Sequence, residues 1–491
     1  MVADRANYAI EMATTLKSQR ELLDIPLQLD PGAGNQSLQV NRALRNAILD
    51  GRLAPGLRLP SSRALARQLG LRRNAIIAAY EHLSSDGFVE TRTGAGTYVA
   101  ATLPRRPPTP GIHLPDQSQM QERRPFALGH THADRTLLRK LGAALRRCTV
   151  HADPARFGYG DPRGSRFLRE QIADYLAANR GLRCDPGAIL VTNGTQQAVR
   201  LCASALLQAG DRLWMEDPGY PVARNTFIAS GLVPVAVPVD GEGLDVEAGC
   251  RLARKAKAVY VTPSHQFPTG VTMSMTRRVA LLSWASETGS LIFEDDYDSE
   301  FRYAGPPLTA LAGLSHGEGV IYLGTFSKTL FPGLRLAYAV LPTAVLPRVV
   351  AARAAFDRFP SSMLDGAVAE LMADGTLLRH VRRMRSRYRA ARDALAAALA
   401  DAAGNALQIA VPAQGLHLVA YLPPGLSPEA GQQIRAMAEV EAVLLSETRS
   451  ERSGGREGLI LGFSGYDLKD LTAAARRIGR AAARLSAEAS S

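Results

Sequence analysis

From about residue 126 onward, short apolar runs alternate with longer Ala- and Leu-rich segments. The runs Ala188–Thr192, Arg212–Glu216, Val233–Val239, Ala258–Thr262, Leu291–Glu294 and Val320–Gly324 are nearly continuous in apolar side chains. That pattern fits strands buried on both faces and separated by helices, which predicts a mostly parallel α/β sheet. Parallel sheets hold ligands beyond the carboxyl ends of their strands, so chemistry is expected in the polar segments that follow these runs. Past residue 377 the pattern changes. A helix rich in Arg and Ala (about 377–400), a strand at Leu416–Leu422 and two more near 443 and 460 predict a smaller α+β subdomain. No internal repeat is present.

Residues 36–100 read differently, as short helical patterns ending in the alternating runs Phe88–Arg92 and Thr97–Val99 around Thr93-Gly94-Ala95-Gly96, which predicts helices followed by a β-hairpin. Prolines then crowd Leu103–Gly111, and polar residues continue to Pro125. Proline at that density resists helix and sheet and predicts an extended linker. The division expected is an N-terminal extension (1–35), a helical domain (36–100), a Pro-rich linker (101–125) and a large α/β domain (126–485). A chain of 491 residues is long enough for this many parts.

Composition sharpens the picture in three ways. The formal net charge is +12, and only six of the 58 basic residues are lysines; arginine suits phosphate partners because its guanidinium is a planar fork. Cys148, Cys184, Cys202 and Cys250 have neither paired nor metal-like spacing, so neither structural disulfides nor a metal site is expected. The first 30 residues contain acids and no continuous apolar stretch, and no run of transmembrane length follows, which points to the cytoplasm. The role of the first 25 residues is not legible.

The positive charge is concentrated. Between Gly51 and Tyr80 lie Arg52, Arg58, Arg63, Arg67, Arg72 and Arg73 with no acidic residue, a local basic surface. Within it, Leu59-Pro60-Ser61-Ser62-Arg63-Ala64-Leu65-Ala66 has Pro and Ser where a helix starts, Leu65 and Leu69 on one face, and Gly70 to end it. A second helix, about Arg72 to Ser84, would bury Ile76, Ile77, Tyr80 and Leu83 and present Arg73 and Asn74 at its N-terminus, where a recognition helix meets bases and phosphates. A solvated basic bundle explains a charge run alone; it does not explain helix, turn, helix and Gly-tipped hairpin in this order. From Gln39 to Val99 the chain resembles the winged helix-turn-helix of GntR-type regulators, on Leu-Pro-Ser-Ser-Arg, the Asn near the recognition-helix start and the Gly-x-Gly wing. The resemblance implies that Arg63 and Arg73 contact DNA beside Asn74, while Gly94 and Gly96 bring the wing to the backbone. Arg72 stands where that family usually has a capping Ser, which implies a lost cap and a gained phosphate contact.

The sharpest chemical signal is Gly324-Thr325-Phe326-Ser327-Lys328-Thr329-Leu330-Phe331-Pro332-Gly333-Leu334-Arg335, directly after an apolar strand. A lysine there, flanked by hydroxyls and with an arginine seven residues on, fits a Schiff-base lysine beside a phosphate anchor. Upstream, Thr192-Asn193-Gly194-Thr195-Gln196 passes from strand through Gly into helix, a start whose N–H groups hold phosphate. Glu294-Asp295-Asp296-Tyr297 follows another strand, where an aspartate keeps a pyridine nitrogen protonated; a metal or salt-bridge pair is the alternative, but no His or Cys clusters with it in sequence.

In this order the motifs of residues 126–480 resemble the fold type I aminotransferases. The resemblance implies pyridoxal 5′-phosphate (PLP) as cofactor, Lys328 as the Schiff-base lysine, Asp295 on the ring nitrogen and Tyr297 on the phenolic oxygen. It also implies Gly194, Thr195, Gln196, Thr325 and Arg335 around the phosphate, Tyr220 stacked on the ring, and Tyr159 reaching a neighbouring subunit. Two departures stand out. Phe267 replaces the amide of Asn-Pro-Thr-Gly, with His265 or Tyr297 as substitutes, and Ile460 occupies the place of the arginine that clamps a substrate carboxylate, with Arg456 nearby. The two halves together resemble the MocR group of bacterial regulators, including its PdxR-like branch. That implies a multidomain fold, a winged helix-turn-helix plus an α/β aminotransferase-like domain with a small α+β subdomain. It further implies a head-to-tail homodimer, double-stranded operator DNA as partner, and an effector that is PLP or an amino compound. A catalytically active aminotransferase carrying a DNA-binding domain is the other use of the same residues, and a half-reaction the intermediate case.

Overall fold

The computed structural model describes residues 23, 29, 34–103, 124–150, 158–424, 426–450 and 454–490. Most of the expected N-terminal extension and of the Pro-rich linker lie outside the described residues. The chain divides into two compact units, Met1–Gln119 and Met120–Ser491.

In the first unit, helices Gln36–Leu49, Ser62–Leu69 and Arg73–Ser85 precede β1 (Val89–Arg92) and β2 (Gly96–Val99). Asn35 and Ser61 cap the first two helices with their side chains, satisfying N–H groups that a helix start leaves free. Gly70, at φ +66°, ends the second in the left-handed conformation that glycine adopts without strain. Val40, Leu44, Ile48, Leu65, Ile76, Leu83 and Phe88 form one apolar core. Ile77, expected inside, is half-buried; the helix turns Ala79 inward instead. The wing pairs Val89 with Val99 and Arg92 with Gly96. A segment at residues 57–59, not foreseen from sequence, joins its edge through Leu59 N–H to Thr97 O at 2.8 Å. Leu23 is buried against this core and exchanges two hydrogen bonds with the Gln68 amide, at 2.9 and 2.7 Å.

The second unit is built on an eight-stranded sheet in the order β3-β10-β9-β8-β7-β4-β5-β6. Its strands are β3 (Ile189–Thr192), β4 (Arg212–Asp217), β5 (Val233–Asp240), β6 (Gly243–Leu244), β7 (Ala258–Val261), β8 (Leu291–Asp296), β9 (Val320–Thr325) and β10 (Ala337–Val340). Strands β9, β8, β7, β4 and β5 run parallel, whereas β10 is antiparallel to both neighbours. Alternate residues feed two apolar layers. Ile292 and Val259 join one with Trp214 and Trp284, whose rings stack at 3.8 Å, while Phe293, Tyr260 and Leu323 join the other under helix Thr195–Leu206. Burial on both faces is what the nearly continuous apolar runs demanded. The C-terminal part forms a second sheet, β11-β12-β14-β13, from Gln408–Ala410, His417–Tyr421, Gly458–Gly462 and Val443–Leu444. Helices Thr376–Ala403 and Leu468–Ser490 cover it over a separate core. No helix among the described residues is long and apolar enough to cross a membrane.

Candidate functional site

In the first unit, Arg63, Arg72, Arg73 and Asn74 are all exposed, at the starts of the second and third helices. Arg72 occupies the N-cap of helix Arg73–Ser85 and makes no side-chain cap bond, as its chemistry requires. Arg73 Nε donates to Ser62 Oγ at 3.3 Å, linking the two helix starts. Gly94 in the wing turn and Gly96 at the start of β2 have φ of +75° and +111°, a backbone conformation that favours glycine, and a Cβ at Gly96 would lie 3.1 Å from Arg58 Nε. Arg58, unassigned from sequence, lies at this turn.

In the second unit, the strands that point the same way as β9 deliver their carboxyl ends to one cavity of about 270 Å³. The loop after β3 brings Gly194, Thr195 and Gln196, the loop after β4 brings Tyr220, and β8 brings Asp295 and Tyr297. Thr325 and Lys328 arrive at the end of β9, and Arg335 precedes β10. Tyr159 is not among them: it is 83% exposed, with the Arg358 guanidinium 4.9 Å over its ring and Phe359 edge-on.

Strand alternation explains why only one of three consecutive acids enters the cavity. Glu294 and Asp296 face the opposite side, where Glu294 accepts the Leu311 and Ala312 amides at 2.8 and 2.9 Å and Asp296 pairs with Arg180 at 2.7 Å. Asp295 faces the cavity. Its Oδ2 accepts the Tyr260 hydroxyl, its Oδ1 is buried without a partner, and burial pushes its pKa up to about 7. Lys328 Nζ donates to Gly129 O at 3.4 Å, and burial draws its ammonium below the ordinary lysine range. A Cβ at Gly129 would sit 2.7 Å from that nitrogen. Arg335, itself at φ +53°, donates to Asn193 O at 3.2 Å and closes on Gly194, where a Cβ would lie 3.0 Å from the guanidinium. Tyr220 meets Phe267 edge-on at 5.4 Å.

Several contributors were invisible in the sequence. Tyr260 supports Asp295 from the neighbouring strand, and Leu128 and Gly129 come from the start of the unit. His265, Asp298 and His417 form a buried cluster with ligand-type atoms within 4.8 Å, although nothing in sequence spacing placed histidines beside these acids. Part of it is already engaged: His265 Nδ1 lies 3.0 Å from Asp298 Oδ2 and from the Tyr297 hydroxyl, and His417 Nε2 lies 3.0 Å from Pro268 O, while His265 Nε2 is buried without a partner. Of the two substitutes expected for Phe267, Tyr297 lines the cavity and His265 stands behind it. Ile460 is fully buried in β14, and Arg456 is turned to Leu422 O at 2.7 Å.

Comparison with known proteins agrees with both halves. Residues 36–99 match the family of bacterial regulatory proteins, gntR family, and residues 129–478 match aminotransferase class I and II. The probable rhizopine catabolism regulatory protein MocR of Rhizobium meliloti is 33% identical over 453 residues, covering 88% of this chain and 91% of that one. The HTH-type pyridoxine biosynthesis transcriptional regulator PdxR of Corynebacterium glutamicum is 32% identical over 387 residues, 77% of this chain and 82% of that one. Among solved structures, the α-aminoadipate aminotransferase LysN of Thermus thermophilus superposes with a TM-score of 0.67 at 29% identity, over 74% of this chain and 92% of that one. The chain belongs to the GntR-type DNA-binding transcription regulators that carry an aminotransferase class I and II domain, the group of MocR and PdxR.

Proposed function

We propose that the second unit binds PLP in this cavity, on Lys328, and that occupancy of the cavity by PLP or a small amino compound sets the affinity of the first unit for operator DNA. One observation carries the reading: every residue assigned to the cofactor from sequence, Tyr159 excepted, lines a single cavity at the ends of the parallel strands.

The residues fit that group. Asp295 Oδ1, buried and without a partner, is an acceptor for a protonated ring nitrogen. The cradle of Gly194, Thr195, Gln196, Thr325 and Arg335 at the start of helix Thr195–Leu206 suits a phosphate, and a side chain at 194 would fill it. In this reading Tyr297 meets the phenolic oxygen and Tyr220 the ring face; both line the cavity. When bound, PLP supplies an aldehyde that condenses with amines and a ring that withdraws electrons. Burial raises the fraction of Lys328 that is neutral and nucleophilic near neutral pH. His265, braced by Asp298, holds the Tyr297 hydroxyl in place, and Tyr260 does the same for the Asp295 carboxyl group.

In the same reading Arg63, Arg72, Arg73 and Asn74 contact DNA, with Gly94 and Gly96 admitting the wing, and the two functional parts are residues 36–100 and 126–485 joined by 101–125. The protein acts in the cytoplasm as a head-to-tail homodimer, a state supported by Tyr159, which lies exposed outside its own cavity. A ligand changes DNA affinity only by binding the DNA-competent and incompetent arrangements unequally. A second reading, a working aminotransferase, is favoured by the lowered pKa of Lys328; its mark is sustained keto-acid release with the cofactor retained.

The test uses duplexes selected from a random pool by the full-length protein. PLP is expected to change affinity for them by about 5-fold or more, the range of ordinary coupling energies, and to leave the Lys328→Ala variant unaffected. An affinity indifferent to PLP in the parent protein overturns the regulatory reading.

A further inference from the structure

We propose that the cavity does not recognise an α-carboxylate, so that its ligand beside the lysine is an amine without one, or PLP alone; this rests on the reading that PLP sits on Lys328. Among the described lining residues the only lysine and arginine side chains are Lys328, the lysine that would hold PLP, and Arg335. Arg335 is committed to the Gly194 end, where it closes on that glycine and on Asn193 O. Away from that end the wall contains Leu128, Phe267, Leu416 and His417. Burial holds His417 down to about 4, so at neutral pH it carries no charge.

What stands behind this wall is apolar. Leu128 packs on a small cluster of Val419, Leu445 and Ile460, each at most 1% exposed. Ile460 is paired in register with Val419 and Val443, so its place is set by the sheet. Arg456, Arg449 and Arg224 are engaged elsewhere, largely by backbone carbonyls. Arg456 donates to Leu422 O at 2.7 Å and covers the Tyr421 ring, Arg449 donates to Gly455 O at 3.1 Å, and Arg224 donates to Arg449 O and Thr448 O at 2.9 Å each. None of the three lines the cavity.

A carboxylate entering here would lose its hydration and meet no charge-assisted partner among the protomer's own described lining residues, a burial that is costly unless paired. A guanidinium fork is the group that ordinarily repays it. An amine lacking the carboxylate keeps its condensation with the aldehyde and avoids that cost. The cavity therefore discriminates by what it omits.

The experiment uses full-length protein saturated with PLP, after a Lys328-dependent absorption band has been recorded; absence of that band refutes the cofactor reading and is distinct from the present question. L-alanine is then titrated against ethylamine, and L-phenylalanine against phenethylamine, with concentrations expressed as free unprotonated amine. The carboxylate-free member of each pair is expected to shift the band at equal or lower concentration. Absence of a shift with all four identifies PLP alone as the ligand, the other half of the proposal. An amino acid that saturates at a concentration about tenfold below its amine overturns it. Ile460→Arg, with Leu128→Arg as a second way to bring a cation to the same wall, is expected to improve the amino acid about tenfold relative to the amine. A folded variant of either kind with an unchanged ratio overturns the assignment of this wall.

Discussion

Replacing Asp295 by Asn removes a carboxylate that the folded, cofactor-free protein ionises only at a cost. Burial lifts its pKa from 3.8 to about 7. Because the folded pKa is raised, the neutral form is favoured, and stability is lost as pH climbs from the unfolded value through the folded one. At about 1.4 kcal/mol per pKa unit, the penalty is roughly 2 kcal/mol at pH 5 and roughly 4 kcal/mol at pH 8. Asparagine keeps an acceptor for the Tyr260 hydroxyl and abolishes the titration. Cofactor-free D295N is therefore expected to exceed the parent in stability by a margin that grows by about 2 kcal/mol between pH 5 and pH 8. The assay is urea unfolding followed by tryptophan fluorescence. Both tryptophans of the chain, Trp214 and Trp284, stack within the second unit and report on it alone. The same substitution is expected to weaken PLP binding at least about tenfold, because a neutral amide cannot pair with a protonated ring nitrogen. A stability difference that stays flat from pH 5 to pH 8 refutes the reasoning.

Three further outcomes follow from the geometry. Gly194→Ala places a Cβ 3.0 Å from the Arg335 guanidinium at a φ of +101°, and is expected to lower PLP affinity at least about tenfold by equilibrium dialysis, with Lys328 still reactive at saturating PLP. Arg72→Ser supplies the missing N-cap of helix Arg73–Ser85 and is expected to add about 1 kcal/mol to the first unit by circular-dichroism melting, while removing a phosphate contact and reducing the salt slope of DNA binding by about 1. Arg73→Ala loses only an exposed bond to Ser62, so its stability is expected to change by less than about 0.5 kcal/mol while DNA affinity falls in fluorescence anisotropy.

How much was legible in the sequence depended on the range of the interaction. The strands that later proved to be β3, β4, β7, β8 and β9 announced themselves because burial on both faces leaves a continuous apolar run, whereas β5 carries such a run although only Val235 and Val237 are buried. Strand β10, Ala337–Val340, did not: four residues, two of them alanine, carry no period of their own and are held by two neighbours. The helix end at Gly70 and the uncapped start at Arg72 were readable because capping is decided within a few residues. Lys328, Asp295 and Arg335 could be picked out because each lies at or beside a strand end in a distinctive local motif. The pairing of Asp295 with Tyr260 and the assembly of His265, Asp298 and His417 could not, since the partners lie 33 to 152 residues apart and meet only in the folded chain. Ile77 was misplaced for the opposite reason, since helical period marks a face and packing then selects which members of it go inside.

The most direct test of the account is the visible absorption spectrum of the purified protein with added PLP, recorded beside Lys328→Ala and followed by borohydride trapping and peptide mapping. The account expects a new band in the parent, none in the variant, and a single pyridoxyl-modified peptide containing Lys328. A band that persists in Lys328→Ala, or a label on another lysine, would contradict the assignment of this cavity as the cofactor site.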